Sequence, residues 1–290
     1  MGIKLAKSLF AIDLNSILER SIFNDESNYE IKEIAQFDDN VQDSLTFYIS
    51  DKSSKAKHHP GIVISDSEIL SCKHLVQSLN PKFEFVKILN FLINADFITN
   101  EKEIIINENC EISKTAILEE GIQIGKNTFI GENVIIKSGT TIGNNCKISS
   151  GTVIGSEGFG FVKNELGEYI RFPHLGSVYI GDNVEIGSLS IIDKAPLSST
   201  IIKKGVKIDS NVHIGHGCYV GEHTTITSSS TLCGSVEIGS NCYIGARSVL
   251  SDNISVGDHS FICIGSNITK NVGENLMVGG NPFQVIKKIN

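Results

Sequence analysis

The 290-residue chain has no tryptophan, and aromatic residues make up only 7% of it. An ordinary globular core draws much of its buried area from such side chains, so the shortage points to a core built another way. No Lys/Arg run interleaved with aromatics occurs, and 25 basic residues face 33 acidic ones for a formal charge of -8. That balance argues against a polyanion-binding surface, so no nucleic acid partner is expected. No stretch approaches the roughly 20 apolar residues that span a bilayer, and Met1-Gly2-Ile3-Lys4-Leu5 lacks the apolar core of a signal peptide. A cytoplasmic protein without a membrane span is expected. The seven cysteines form no CxxC pair and no zinc-finger spacing, which speaks against a disulfide frame and a thiolate metal site.

What is plentiful is glycine, 27 residues, and an aliphatic side chain every sixth position. One run goes from Ile106 through Ile112, Leu118, Ile124, Ile130, Ile136, Ile142 and Ile148 to Ile154; Ile180, Ile186 and Ile192 continue it. A longer run goes from Ile202 to Ile268 without a break. A period of six suits neither a helix nor a lone strand. It suits a three-sided prism with six residues per face and eighteen per coil, and the 24 hexads then make about eight coils. Strand alternation turns the aliphatic residue and the small residue two before it inward. Cys110, Cys146, Cys218 and Cys242 hold that small inward place, so they read as packing atoms. Corners follow as Gly-x-Asn, at Gly125 with Asn127, Gly143 with Asn145, Gly181 with Asn183 and Gly239 with Asn241, residues that tolerate positive φ. Between Ile154 and Ile180 the period carries 20 surplus residues, and between Ile192 and Ile202 it carries 4. Loops ejected from a rigid scaffold are where function concentrates.

Residues 1–100 lack the period and read as a small α/β domain. Lys4 to Leu18 reads as an amphipathic helix, and Tyr29 to Ile34, Leu45 to Ile49 and Gly61 to Ser65 as strands. Asn80-Pro81 is a cap followed by proline at the first turn of a helix over Phe83 to Ile93. The expected organisation is this domain, a β-helix over 101–275 with an ejected loop at 155–173, and a short tail at 276–290.

Three segments carry a family resemblance: Gly155-Ser156-Glu157-Gly158-Phe159-Gly160-Phe161, Phe172-Pro173-His174-Leu175-Gly176, and Ile208-Asp209-Ser210-Asn211-Val212-His213-Ile214-Gly215-His216. With them the chain resembles the UDP-3-O-acylglucosamine N-acyltransferases of lipid A synthesis. The resemblance implies a mainly β fold, a left-handed parallel β-helix of hexapeptide repeats with a small N-terminal α/β domain. It also implies a homotrimer with sites in the clefts between neighbours, a histidine general base aligned with His216, and a uridine-binding region at Leu45-Thr46-Phe47-Tyr48 and Asn80-Pro81. Departures from the family pattern are Ser53, where the family has a second aromatic, Asn253 at the place of a further histidine, and no C-terminal helical extension after Ile268. The ending Gly280-Asn281-Pro282 resembles coenzyme A-dependent sugar acetyltransferases instead.

The expected activity is therefore an N-acyltransferase moving a short acyl or hydroxyacyl group from acyl-coenzyme A to the amine of a UDP- or dTDP-linked amino sugar for cell-surface glycan synthesis. The alternative is the lipid A enzyme itself with acyl carrier protein as donor. Remoter readings are a non-catalytic scaffold and a γ-type carbonic anhydrase. The last calls for H-x4-H ligands, whereas His216 and His223 are spaced H-x6-H, so no metal is expected.

Acyl transfer from a thioester to an amine needs a base and donors for the oxyanion. His216, two residues after Ile214, points outward and suits the first role. Stacking one coil below puts Asp193 forward as its orienter, with Asp209, favoured by the family match, as a second candidate. Gly234, eighteen residues after His216, offers its N–H to the carbonyl, as the resemblance also implies, and lies along the donor arm. Phe47, Phe159 and His174 are expected at the sugar nucleotide, and Arg247 and Lys270 at the donor's phosphates.

Overall fold

The computed structural model describes residues 3–24, 26, 28–49, 58–69, 71–98 and 103–288. Ser53 lies outside them. The chain divides into two compact units, Met1–Thr99 with Phe159–Leu175, and Asn100–Gly158 with Gly176–Asn290.

The second unit is a left-handed parallel β-helix with three faces. Face 1 begins with Glu111–Ile112 and runs through Lys207–Ile208 and Tyr243–Ile244 to Phe261–Ile262. Face 2 runs from Ile117–Leu118 through Ile191–Lys194 and His213–Ile214 to Asn267–Ile268, and face 3 from Ile105–Ile106 through Tyr219–Val220 to Ser255–Val256. Faces 2 and 3 hold eight strands each. Every aliphatic residue of the hexad series falls in one of these short strands, and from Ile124 onward each is buried. Stacked in register, as in Ile208 on Ile226 and Ile214 on Leu232, they form one continuous aliphatic column, the core that the missing aromatics foretold.

The small inward positions are also buried, and many are polar. Most of these hydroxyls and thiols donate to a corner carbonyl of the adjacent coil, as Thr128 does to Gly143 at 3.0 Å, Thr224 to Gly239 at 2.8 Å and Cys242 to Gly257 at 3.2 Å; the Thr140 hydroxyl makes no such bond. A buried polar group needs such a partner, and the repeat supplies one every eighteen residues. Cys146, Cys218 and Cys242 are buried as the packing role requires, while Cys110, in the first coil, is partly exposed.

The corners differ from expectation in one respect. Positive φ falls on the asparagines (Asn127 +55°, Asn145 +55°, Asn241 +56°) and not on the glycines before them. Gly125 is required for room instead, because a Cβ there would sit 2.5 Å from the Gly143 carbonyl carbon of the next coil. The predicted tail is also sheet: Leu276–Gly280 adds to face 1 beside Phe261–Ile262, and Phe283–Lys288 folds back antiparallel on it.

The first unit has a five-stranded sheet in chain order, Ile3–Phe10, Glu30–Ile34, Ser44–Tyr48, Ile62–Ser65 and His74–Gln77, parallel except for its first pair. The helix Pro81–Asn94 covers it with Phe85, Val86, Ile88, Leu89 and Leu92, and the Asn80 side chain accepts the Phe83 N–H at 3.3 Å, as a cap should. The helix expected over Lys4 to Leu18 is not formed. Residues 3–10 pair as an edge strand with Glu30–Ile34, and only Asp13–Ile17 is helical. Phe161–Lys163 and Tyr169–Arg171 form a hairpin in this unit, tied by the Asn80 side-chain amide to the Lys163 carbonyl at 2.9 Å.

Candidate active site

Residues following face 2 turn a corner towards face 3, and coil spacing of about 4.8 Å stacks those corners in a column. Going up the helix, the column holds Glu119 with Lys137, Ser156 and Glu157, Asp193 and Lys194, His216, Gly234, Asp252 and Lys270. Glu119 and Lys137 pair at 2.6 Å. Burial lowers the Lys194 pKa, against the opposing pull of Glu157 and Glu119.

His216 stands half-buried at this corner, with its ring lying against Gly234. A Cβ on Gly234 would meet His216 Cε1 at 2.6 Å, Nε2 at 2.8 Å and Asp252 Oδ1 at 3.3 Å. Gly234 does not have a left-handed φ, so the absent side chain serves the imidazole and not the backbone.

The expected partners of His216 are arranged differently. Asp193, 6% exposed, gives one carboxylate oxygen to His213 Nε2 at 3.0 Å, and its other oxygen accepts from Ser156 Oγ at 2.7 Å. The orienting carboxylate thus serves His213. The four-residue surplus after Ile192 explains the change, since it places His213 beside Ile191 and sets its outward side chain next to that of Asp193. The Asp193 hydrogen bond raises the His213 pKa, more than its partial burial lowers it. Thr200, buried beneath, donates to the Asp193 carbonyl at 2.6 Å and accepts the Gly217 N–H at 2.9 Å, so one hydroxyl fixes both the carboxylate's strand and the turn after His216.

Asp209 lies on the corner between faces 1 and 2. It is exposed, accepts the Ser210 N–H at 2.7 Å, and borders a groove of about 510 Å³ with Thr227, Tyr243 and Phe261. Arg247 is exposed on that same corner, away from the His216 column. Lys270 is in the column, three coils above His216 and so about 14 Å from it along the axis. The Gly234 N–H is occupied, donating to Asp252 Oδ1 at 2.8 Å. The same arrangement closes other corners, Ser240 N–H to Asp258 at 2.7 Å and Asn144 N–H to Asp182 at 2.7 Å, because a corner amide has no strand partner. An oxyanion would therefore have to displace Asp252.

The expected sugar-nucleotide contacts fall in the first unit. Phe47, half-buried, packs against the buried Phe85 and Phe172 with ring centroids 4.9 and 6.1 Å away. His174 is 2% exposed, with Nδ1 at 3.0 Å from the Phe172 carbonyl, and presents no surface to a ligand. Phe159 is 88% exposed, edge-on to Phe161. Among the described residues no three His, Cys, Asp or Glu side chains gather as a metal site would need, and His216 and His223 occupy different corners. No helix among them is long and apolar enough to cross a membrane.

Reading the sequence missed His213 as the partner of Asp193, along with Ser156, Thr200 and Asp252. Asp252 was legible, since it stands two coils of eighteen above His216. The others required knowing how the surplus residues reset the stacking.

The repeats match the bacterial transferase hexapeptide family (six repeats) over residues 121–156 and 199–234, and the hexapeptide repeat of succinyl-transferase over 235–270. UDP-3-O-acylglucosamine N-acyltransferase of Campylobacter lari is 36% identical over 132 residues, 46% of this chain and 41% of that one. Its counterpart from Campylobacter jejuni is 39% identical over 132 residues, 46% of this chain and 42% of that one. The matches thus span less than half the length of these relatives. The solved UDP-N-acetylglucosamine acyltransferase from Campylobacter jejuni shares the fold with a TM-score of 0.52 at 21% identity, covering 64% of this chain and 73% of that one.

Proposed function

We propose that this chain of transferase hexapeptide repeats moves an acyl group from a thioester to the amine of a UDP-linked amino sugar, with UDP-3-O-acylglucosamine as the first acceptor to test. The observation that carries the reading is the outward His216, seated against a glycine at a repeat corner. There it takes the amine proton as the carbon–nitrogen bond forms, and the tetrahedral intermediate then expels the thiolate. The names of the relatives favour this over the expected coenzyme A-dependent transfer to a different amino sugar.

Assembly as a homotrimer belongs to the same reading. The outward row of face 2 carries Ile117 (56% exposed), Ile135, Val153, Ile191 (40%), Thr231 and Val249 (40%), with His213 its one titratable member. Apart from His213, this row carries no charged side chain and is suited to burial against another copy of itself, which leaves His213 in the cleft beside the His216 corner.

The test is a product analysis by mass spectrometry. UDP-3-O-acylglucosamine and a panel of UDP- and dTDP-linked amino sugars are each offered with one acyl chain carried on acyl carrier protein or on coenzyme A. Formation of the N-acylated UDP-sugar is expected, and the productive carrier identifies the donor. Nucleotide-sugar binding without turnover of any thioester would replace the enzyme reading with that of a scaffold.

A further inference from the structure

The reaction moves two protons, and the structure presents two outward histidines on one strand and its corner. His216 accounts for the proton leaving the amine nitrogen. The sulfur of the departing thiolate needs the other.

We propose that His213 is a second catalytic residue of this transfer, giving its Nδ1 proton to the thiolate sulfur as the carbon–sulfur bond breaks. The inference rests on the acyl-transfer reading above. His213 Nε2 is held by the Asp193 carboxylate at 3.0 Å, and that carboxylate is itself buried and braced by Ser156 at 2.7 Å. The ring is thereby fixed, while the side chain remains 46% exposed and Nδ1 has no hydrogen-bond partner among the described residues. Ser156 bonds the aspartate and not the imidazole, so it braces the carboxylate and is not a nucleophile of the Ser-His-Asp kind.

The charged groups around His213 favour the protonated form. From the strand below comes Asp193, with Lys194 beside it and Glu157 one coil lower; from the strand above comes Thr231, which does not titrate; the next titratable group along its own strand is His216. Asp193 is the only one of these that acts on it appreciably, and it stabilises imidazolium. Held by the Asp193 carboxylate at Nε2, His213 is thus suited to give a proton from Nδ1.

Two residues, Ile214 and Gly215, separate the two histidines, so their Cα atoms are at most about 11 Å apart, and imidazoles reaching out from both can address the nitrogen and the sulfur carried on one tetrahedral carbon. In the balanced step the amine lone pair forms the carbon–nitrogen bond, His216 takes the nitrogen's proton, the carbon–sulfur electron pair leaves with sulfur, and His213 protonates it. Exchange with water then returns His216 to the neutral form and His213 to the cation.

The experiment compares wild type, His213→Gln and Asp193→Asn in the full chain. The donors are one acyl chain as its pantetheine thioester and as its thiophenyl ester, whose thiol is far more acidic. With the pantetheine thioester His213→Gln is expected to lose about 10²-fold in kcat, whereas with the thiophenyl ester, which departs without a proton, the loss should be under about fivefold. Asp193→Asn should move the alkaline limb of the pH–rate profile to lower pH, in step with the His213 titration followed by NMR. Rescue by the acidic leaving group also shows that the variant is folded. Equal losses with both donors, or an alkaline limb that Asp193→Asn leaves in place, overturn the assignment. A wild-type chain inert with every donor and acceptor overturns acyl transfer itself, and this assignment with it.

Discussion

Gly234→Ala separates catalysis from stability. The new Cβ would stand 2.6 Å from His216 Cε1 and 2.8 Å from Nε2. Ordinary carbon contact begins at about 3.5 Å, so the ring must retreat by roughly 1 Å. It is the end of a rotatable side chain, and Gly234 has no left-handed φ to strain, so the backbone need not follow. Replacing glycine at a compatible position stabilises by about 0.4–1 kcal/mol through the unfolded chain, which offsets the weaker packing of the displaced imidazole. The expected result is a Tm within a few degrees of wild type. A misplacement of about 1 Å at a reacting group lowers turnover by about 10²-fold, and that fall in kcat is expected here. The Gly234 N–H is retained, so a loss cannot come from a missing donor. Calorimetry and steady-state kinetics on the same preparation supply both numbers. A kcat within threefold of wild type would refute the placement of His216 at the reacting centre, and a large fall in Tm would refute the claim that only the ring moves.

His216→Ala should fold normally, since a corner side chain contributes little packing, while turnover falls by about 10² to 10⁴; kinetics within threefold of wild type would remove it from the mechanism. The pair of His213 and Asp193 predicts a pH-dependent stability. The histidine pKa is raised above its ordinary 6.5 in the folded chain, so the stabilisation is complete below 6.5 and is lost as pH rises through the raised value. Urea titrations across that window should show the gap between wild type and Asp193→Asn closing on the alkaline side. Burial pushes the Cys218 thiol up to about 12, so it should resist alkylation at neutral pH until the chain is unfolded, which peptide mapping after brief iodoacetamide treatment checks. A homotrimer is expected in sedimentation at micromolar concentration, and Ile191→Asp on face 2 should shift it to monomer; a monomeric wild type would count against the assembly.

The β-helix was legible because its signal is covalent. An inward aliphatic every sixth residue survives as spacing however the chain turns, and each such residue from Ile106 to Ile268 falls in a strand. Residues 3–10 were not legible, because Lys4 and Lys7 suit a helix face as well as an exposed edge strand, and pairing with Glu30–Ile34 decides between them. The His216 corner followed from periodicity and resemblance together. Of its neighbours, Asp252 stood in the same eighteen-residue series, whereas Asp193 meets His213 through a register that the surplus residues alter. Glycine at 125 was anticipated for a torsional reason and is needed for a steric one.

Stacking in steps of eighteen makes the helix an adjustable ruler. Each coil touches only its two neighbours, so stability should accumulate coil by coil in the manner of a one-dimensional array. Excising a stretch of eighteen from the regular run above Ile202 would bring every remaining side chain to the same face it held before. Excising nineteen would turn inward residues out along the rest of the column. The distance between His216 and any anchor higher up, Lys270 included, can thus be shortened in increments of about 4.8 Å without redesigning a core. Nature has the same freedom, and where the candidate active groups lie along one corner, the reach of the proposed site is set by the number of coils between them.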